Sequence, residues 1–234
     1  MRLSISQPQF FPWLGYYERI YNSDLHVQLD HVQYEKNSLI NRNRIISNGR
    51  SHFLTVPCKT SGKFQDLSIN LVEIDCTRPW ANKMLSTLRH SYSKAPFFAQ
   101  IYPKLEYLLL SETTSLIQLL SSSLEYTSQT LRIDTPVLSS SSMALSSRKS
   151  DLVLEICLKF RATEYLSGPF GRHYLNLSSF KKHNIKVLFH DYQPYPYAQY
   201  NQKEPITGLS VLDYLFNHYP QSISELPICL DYPH

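Results

Sequence analysis

The order of elements at the amino-terminal end constrains the fold of this chain more than any other feature. Arg2 to Ser6 reads as a short strand that gives way at Gln7-Pro8. A loop from Gln7 to Gly15 follows, stiffened by Pro8 and Pro12, which fix φ and remove backbone donors. Tyr17, Ile20 and Tyr21 then fall at helical spacing within Tyr16 to Ser23, and Leu25 to Leu29 alternates apolar and polar residues as a strand does. Strand, loop, helix and strand in so short a span predict a right-handed βαβ unit and hence a parallel sheet.

The remainder fits that frame. Arg44 to Ile46 and Ser51 to Val56 can pair across Asn48-Gly49, a strong hairpin dipeptide. Leu67 to Val72 is a further candidate strand. Residues from Pro79 to Leu131 are expected to be helical, with boundaries at Ala95-Pro96 and Tyr102-Pro103. The serine-rich stretch Ser139 to Ser150 is read as a loop leading into a helix over Leu152 to Phe160. Glu164 to Leu166 and Ile185 to His190 are read as strands, and Ser210 to Asn217 as a helix. The fold class is therefore α/β: an open, mostly parallel, Rossmann-like sheet with flanking helices and an inserted helical layer. No internal repeat or long linker divides the 234 residues, so one domain spanning 1–234 is expected.

Composition narrows the function classes. A formal charge of +4 with no run of like charges argues against general nucleic-acid binding. No apolar stretch approaches the ~20 residues needed to span a bilayer, so no membrane partner is expected. Cys58, Cys76, Cys157 and Cys229 form no C-x-x-C pair and have no His at zinc-ligand spacing. No metal site is assigned, and no motif names a cofactor. With no signal peptide at Met1-Arg2-Leu3, a reducing, cytoplasmic setting is expected. The 17 Tyr outnumber the 11 Phe. A tyrosine excess suits either a pocket that stacks on and hydrogen-bonds a ligand or a half-buried aromatic shell, including an interface between copies of the chain.

Three segments are candidates for chemistry. Gln7 to Tyr17 lies where the first strand of an open sheet would end, and Gln7, Trp13, Gly15 and Tyr16 are candidate ligand contacts. The plain alternative is a rigid corner. Asp30-His31-Val32-Gln33 closes the second strand, and Arg42-Asn43-Arg44 carries planar forks and an amide suited to phosphate or carboxylate. Such a cluster also suits a solvated surface. Ser167-Gly168, Arg172 and Tyr174 lie in a glycine-bearing turn compatible with oxyanion or phosphate contacts. The Tyr- and Pro-rich segment His190 to Tyr200 is a candidate aromatic wall or lid. Ser210 and Asp213 read as the cap and third residue of the last helix, and capping accounts for both.

Taken in order, the segments resemble the WbqC-like family. The resemblance rests on Gln7 to Tyr16, Leu29 to Tyr34, Asn41 to Ile45, Thr55 to Pro57, Lys94 to Phe98, Ser167 to Leu175 and Leu209 to Asn217. His31 departs from the pattern, standing where a second acidic residue is expected. The resemblance implies a role in making modified sugars of bacterial surface polysaccharides such as O-antigen. The activity inferred is acyl or aminoacyl transfer to an amino sugar, with a nucleotide-linked sugar or another small molecule as substrate. Asp30 or His31 would then be the base, with Arg42, Arg44 or Arg172 holding a diphosphate. The competing reading is a non-catalytic binding or assembly partner of sugar-modifying enzymes. A looser likeness to the H-x-G-H corner of nucleotidylyltransferases fails at both histidines, replaced by Trp13 and Tyr16, and so counts against adenylyl transfer.

Overall fold

The computed structural model describes residues 1–60, 62, 67–194, 196–218 and 223. Cys229 and Tyr195 of the Tyr-rich segment lie outside the described residues. Seven strands run β1 (Arg2–Ser6), β2 (Leu25–Gln28), β3 (Arg42–Ser47), β4 (Arg50–Thr55), β5 (Val137–Ser139), β6 (Glu164–Ser167) and β7 (Lys186–Phe189). Helices are α1 (Leu14–Tyr21), α2 (Trp80–Tyr92), α3 (Phe98–Leu109), α4 (Leu116–Thr130), α5 (Lys149–Lys159), α6 (Leu177–Lys182) and α7 (Val211–His218).

Five strands form a parallel sheet in the order β5-β2-β1-β6-β7. Counting only these five in chain order gives 3-2-1-4-5, the doubly wound arrangement expected of a Rossmann-like fold. Leu3, Ile5, Leu25 and Val27 face α5 and α6 and bury a core with Leu152, Val153, Ile156 and Phe180. The opposite face is polar, carrying Ser4, Ser6, His26 and Gln28. A second core joins α1 to the hairpin, α2, α3, α4 and α7, and Val32 packs against both.

The hairpin β3–β4 turns at Asn48 and Gly49, both in the left-handed region at φ 51° and 73°, as the dipeptide predicts. Local pattern misleads in four places. Leu67 to Val72 is a single 3-10 turn at Ile69–Leu71 flanked by isolated bridges, because no neighbouring strand continues the pairing. Pro103 lies inside α3 rather than ending it. The helix forgoes one bond there while Ile101, Tyr102, Leu105 and Leu109 anchor its buried face. The start of the serine-rich stretch supplies the end of β5, a three-residue edge strand too short for periodicity to show. Finally, α6 forms the β6–β7 crossover, a helix of six residues.

Candidate functional site

The sheet reverses its winding between β1 and β6, and ligands of such folds sit outside the carboxyl ends of the strands at that point. The loop leaving β1 is held there by distant parts of the chain. Asn43 Nδ2 donates to the Phe10 and Phe11 carbonyls at 3.2 and 2.8 Å, and Ser210 Oγ also donates to Phe11 O at 2.8 Å. These three bonds hold Phe11 at φ 39°, a left-handed backbone that a bulky residue adopts only under constraint. Tyr16, in the first turn of α1, donates its hydroxyl to Gln7 O at 3.2 Å and packs edge-on against His26. His26 bridges Ser4 and Ser6 at 2.8 and 3.2 Å. Burial, assisted by the Arg19 charge, holds its pKa well below the ordinary value, so this ring is neutral.

Gly15, Glu18 and Arg19 share one stripe of α1 by their i, i+3, i+4 spacing, and the stripe faces the ends of β6 and β7. Gly15 leaves room for two rings: a Cβ there would stand 2.5 Å from Tyr192 Cγ and 2.8 Å from Trp13 Nε1. Tyr192 in turn stacks on His190, at 6.1 Å between ring centres. His190 Nε2 lies 3.2 Å from Glu18 Oε1, both side chains almost wholly buried, at 3% and 1% exposure. The separation is that of an ion pair, though the angles are not those of a hydrogen bond. Gly168 admits the Arg19 guanidinium, since a Cβ at that position would fall 2.4 Å from Nη1. The next glycine, Gly171, similarly makes space for Ser167 Oγ.

The structure therefore brings Gln7, Trp13, Gly15, Tyr16, Ser167 and Gly168 together at the carboxyl ends of β1 and β6. Tyr174 stands close enough to Arg19 and Tyr165 to feel both, and burial raises its hydroxyl pKa despite their lowering influence. Arg172 lies on the same edge, but its guanidinium is clasped by Asp191 through two bonds of 2.8 and 2.7 Å. Arg42 donates to Asn37 O and covers the Phe53 ring, while Arg44 donates to Gly208 O. Neither contact involves a residue of the site. Asn43 anchors the loop, and Gln33 is exposed and bridges to Ser68.

Asp30 closes the end of β2 at 2% exposure. Oδ1 accepts from Ser140 Oγ and Ser141 N at 3.0 and 2.7 Å, and Oδ2 from Ser141 Oγ at 2.5 Å. His31 Nδ1 meets the same Ser140 hydroxyl at 2.6 Å. This geometry locks the turn after β5 to the end of β2. Asp30→Ala is expected to cost about 2–4 kcal/mol, because several buried donors lose their acceptor together. A shift in the denaturant midpoint measures it.

Glu18 and Arg19 belong to no motif, and His190 and Tyr192 enter the sequence reading only within the Tyr- and Pro-rich segment His190 to Tyr200. A signal exists for the first two: an adjacent Glu-Arg pair sits within a short helix that a βαβ unit covers on both sides. Asp213 also exceeds its capping role. Its buried carboxylate accepts from Tyr92 and Tyr197 hydroxyls at 2.6 and 2.7 Å and from Gln199 Nε2 at 3.0 Å. A groove of about 590 Å³ opens elsewhere, between β4 and α2, where His52, Arg78 and Lys83 surround Trp80, but it contains no acid–base pair. Among the described residues no group of three or more His, Cys, Asp or Glu is placed to hold a metal, and no helix is long and apolar enough to cross a membrane.

Fold and site together define a doubly wound α/β protein with Glu18, Arg19 and His190 buried at its switch point. The chain belongs to the WbqC-like protein family, whose model matches residues 7–225. It is also similar to the "Uncharacterized protein Rv1507c" of Mycobacterium tuberculosis (strain ATCC 25618 / H37Rv). The two are 32% identical over 231 residues, 97% of this chain and 98% of that protein. No solved structure matches the chain at a significant level.

Proposed function

We propose that this chain is a cytoplasmic transferase that moves an acyl or aminoacyl group onto the amine of an amino sugar used in bacterial surface polysaccharides. The sugar class is what the family resemblance implies; the reaction is supported chiefly by the Glu18–His190 pair buried at the carboxyl edge, 3.2 Å apart. Amide formation needs a base that accepts a proton as the amine attacks. In this reading the amine nitrogen bonds to the acyl carbon and the carbonyl electron pair moves to oxygen. The His190 imidazole takes the amine proton, and Glu18, 3.2 Å from Nε2, balances the charge it gains. The leaving group departs with its electron pair as the carbonyl re-forms. The indole N–H of Trp13, at the same corner, serves the developing oxyanion. Tyr192 covers His190 and must swing aside for substrate to enter.

The base is thus assigned to His190 rather than to Asp30 or His31, because the carboxylate of Asp30 is occupied by Ser140 and Ser141. The test is incubation of the purified protein with nucleotide-linked amino sugars and a panel of acyl and aminoacyl donors. Mass spectrometry should show the sugar gaining the acyl mass. Glu18→Gln should lower kcat by roughly 10²-fold with KM nearly unchanged, as expected for a carboxylate that balances the charge on a catalytic imidazole. Absence of product with every donor, or full activity in Glu18→Gln, overturns the reading.

A further inference from the structure

The geometry points to an oxyanion subsite built on Arg19, which takes a phosphate group of the substrate between α1 and the end of β6. The inference rests on the transferase reading only for the word substrate; the anion site stands on its own observations.

Arg19 is 9% exposed, and its Nε is buried with no hydrogen-bond partner. Among the described residues no carboxylate lies within ion-pair distance of its guanidinium. Its contacts are with the Tyr16 ring, 5.6 Å from Cζ, and with the backbone at Gly168. Burying a guanidinium without a counter-charge is costly, so proteins pair such a group or neutralise it by binding an anion. Every other arginine proposed for a diphosphate already holds a partner: Arg172 with Asp191, Arg42 with Asn37, Arg44 with Gly208. Arg19 differs in being both buried and lacking such a bond. It sits beside Gly168 at the switch point, where the sheet places ligands. Glycine at 168 leaves room for this, since a Cβ there would stand 2.4 Å from Nη1 and shift the guanidinium.

The surroundings favour phosphate. Arginine presents a planar fork of donors matched to phosphate or carboxylate oxygens. The neighbours sharing its electrostatic reach, Tyr16, Tyr165 and Tyr174, supply neutral hydroxyls rather than competing negative charge. Two sources present the same chemistry: the diphosphate of a nucleotide-linked sugar and the phosphates of a coenzyme A donor.

Isothermal titration with UDP, coenzyme A, inorganic phosphate and uridine tests the inference on the intact chain. UDP or coenzyme A should bind saturably, and whichever binds tighter names the source. Uridine should bind at least tenfold more weakly than UDP, and raising the salt concentration should weaken UDP but not uridine. Arg19→Met should reduce phosphate-ester affinity by tenfold or more, and so should Gly168→Ala, which displaces a native guanidinium. Free Arg19→Met should melt at or above the wild type, because it removes an uncompensated buried charge; a structural prop would instead lower the melting temperature. No binding of UDP, coenzyme A or phosphate, equal binding of UDP and uridine, or unchanged affinity in both variants overturns the site. Phosphate-ester binding through Arg19 without acyl transfer keeps the site and rejects the transferase. Transfer proceeding with an unchanged KM in Arg19→Met does the reverse.

Discussion

Replacing His190 with alanine is expected to lower kcat for acyl transfer by roughly 10²–10⁴-fold, the usual share of a general base. The affinity for the nucleotide sugar should change little, because the phosphate is held by Arg19 and not by the imidazole. The split is what identifies the role. Were His190 merely packing under Tyr192, alanine would loosen the site and raise KM along with any fall in kcat. His190→Gln offers a check on folding, as it keeps bulk and one donor without basicity. Steady-state kinetics on both variants, with melting temperatures alongside, decide the matter. Equal kcat in His190→Ala and wild type removes His190 from the chemistry.

The largest stability effect is expected at Asp213. This carboxylate is fully buried and accepts three hydrogen bonds that join α2, through Tyr92, to the Tyr-rich segment, through Tyr197 and Gln199. The Tyr92 hydroxyl also accepts from the Ile46 amide at 3.1 Å, tying the hairpin into the same node. Asp213→Ala leaves these donors facing one another with no acceptor, at a cost of about 3 kcal/mol or more. For a domain of this size that corresponds to a melting temperature lower by roughly 6–12 °C. Asp213→Asn retains a carbonyl and should lose less.

Asp213 also sets a pH dependence. Burial raises its pKa above the ordinary aspartate value, against the lowering effect of its hydrogen bonds. Between the unfolded and native values the native state therefore binds more protons than the unfolded chain. The stability contributed by this group is complete below the unfolded value and falls as pH rises through the native one. Urea titrations across the mildly acidic range should show a downward slope in the wild type that is flattened in Asp213→Asn. A slope shared by both proteins assigns the effect elsewhere.

Some features of this fold need only local information and others need distant contacts. The first βαβ unit, the Asn48-Gly49 hairpin and the helix at Val211–His218 are local. They follow from turn chemistry and periodicity within a few residues. So does the loop from Gln7 to Tyr16, whose prolines and glycine mark it as a rigid corner. The strand at Val137–Ser139 is different. Its Val137 and Leu138 side chains are exposed, so no buried face announces it, and it exists because β2 has a free edge to pair with. Pro103 likewise signals a helix end locally and is overruled by the packing of its neighbours.

The site divides along the same line. Gly15 and Gly168 are visible in the sequence as glycines, but their use is not: one admits Tyr192 and the other admits Arg19, both from elements distant in the chain. The parallel α/β sheet, the rigid corner that closes its first strand and the resemblance to the WbqC-like family are all legible in the residues alone. The strand order, and with it which charged groups meet at the switch point, arises from the folded arrangement. That arrangement spent Asp30 on the turn after β5 and Arg172 on Asp191, and it set Glu18 against His190 and left Arg19 over Gly168. The physical reason is that burial and pairing belong to contacts between remote segments, and no local spacing rule encodes which segments will touch.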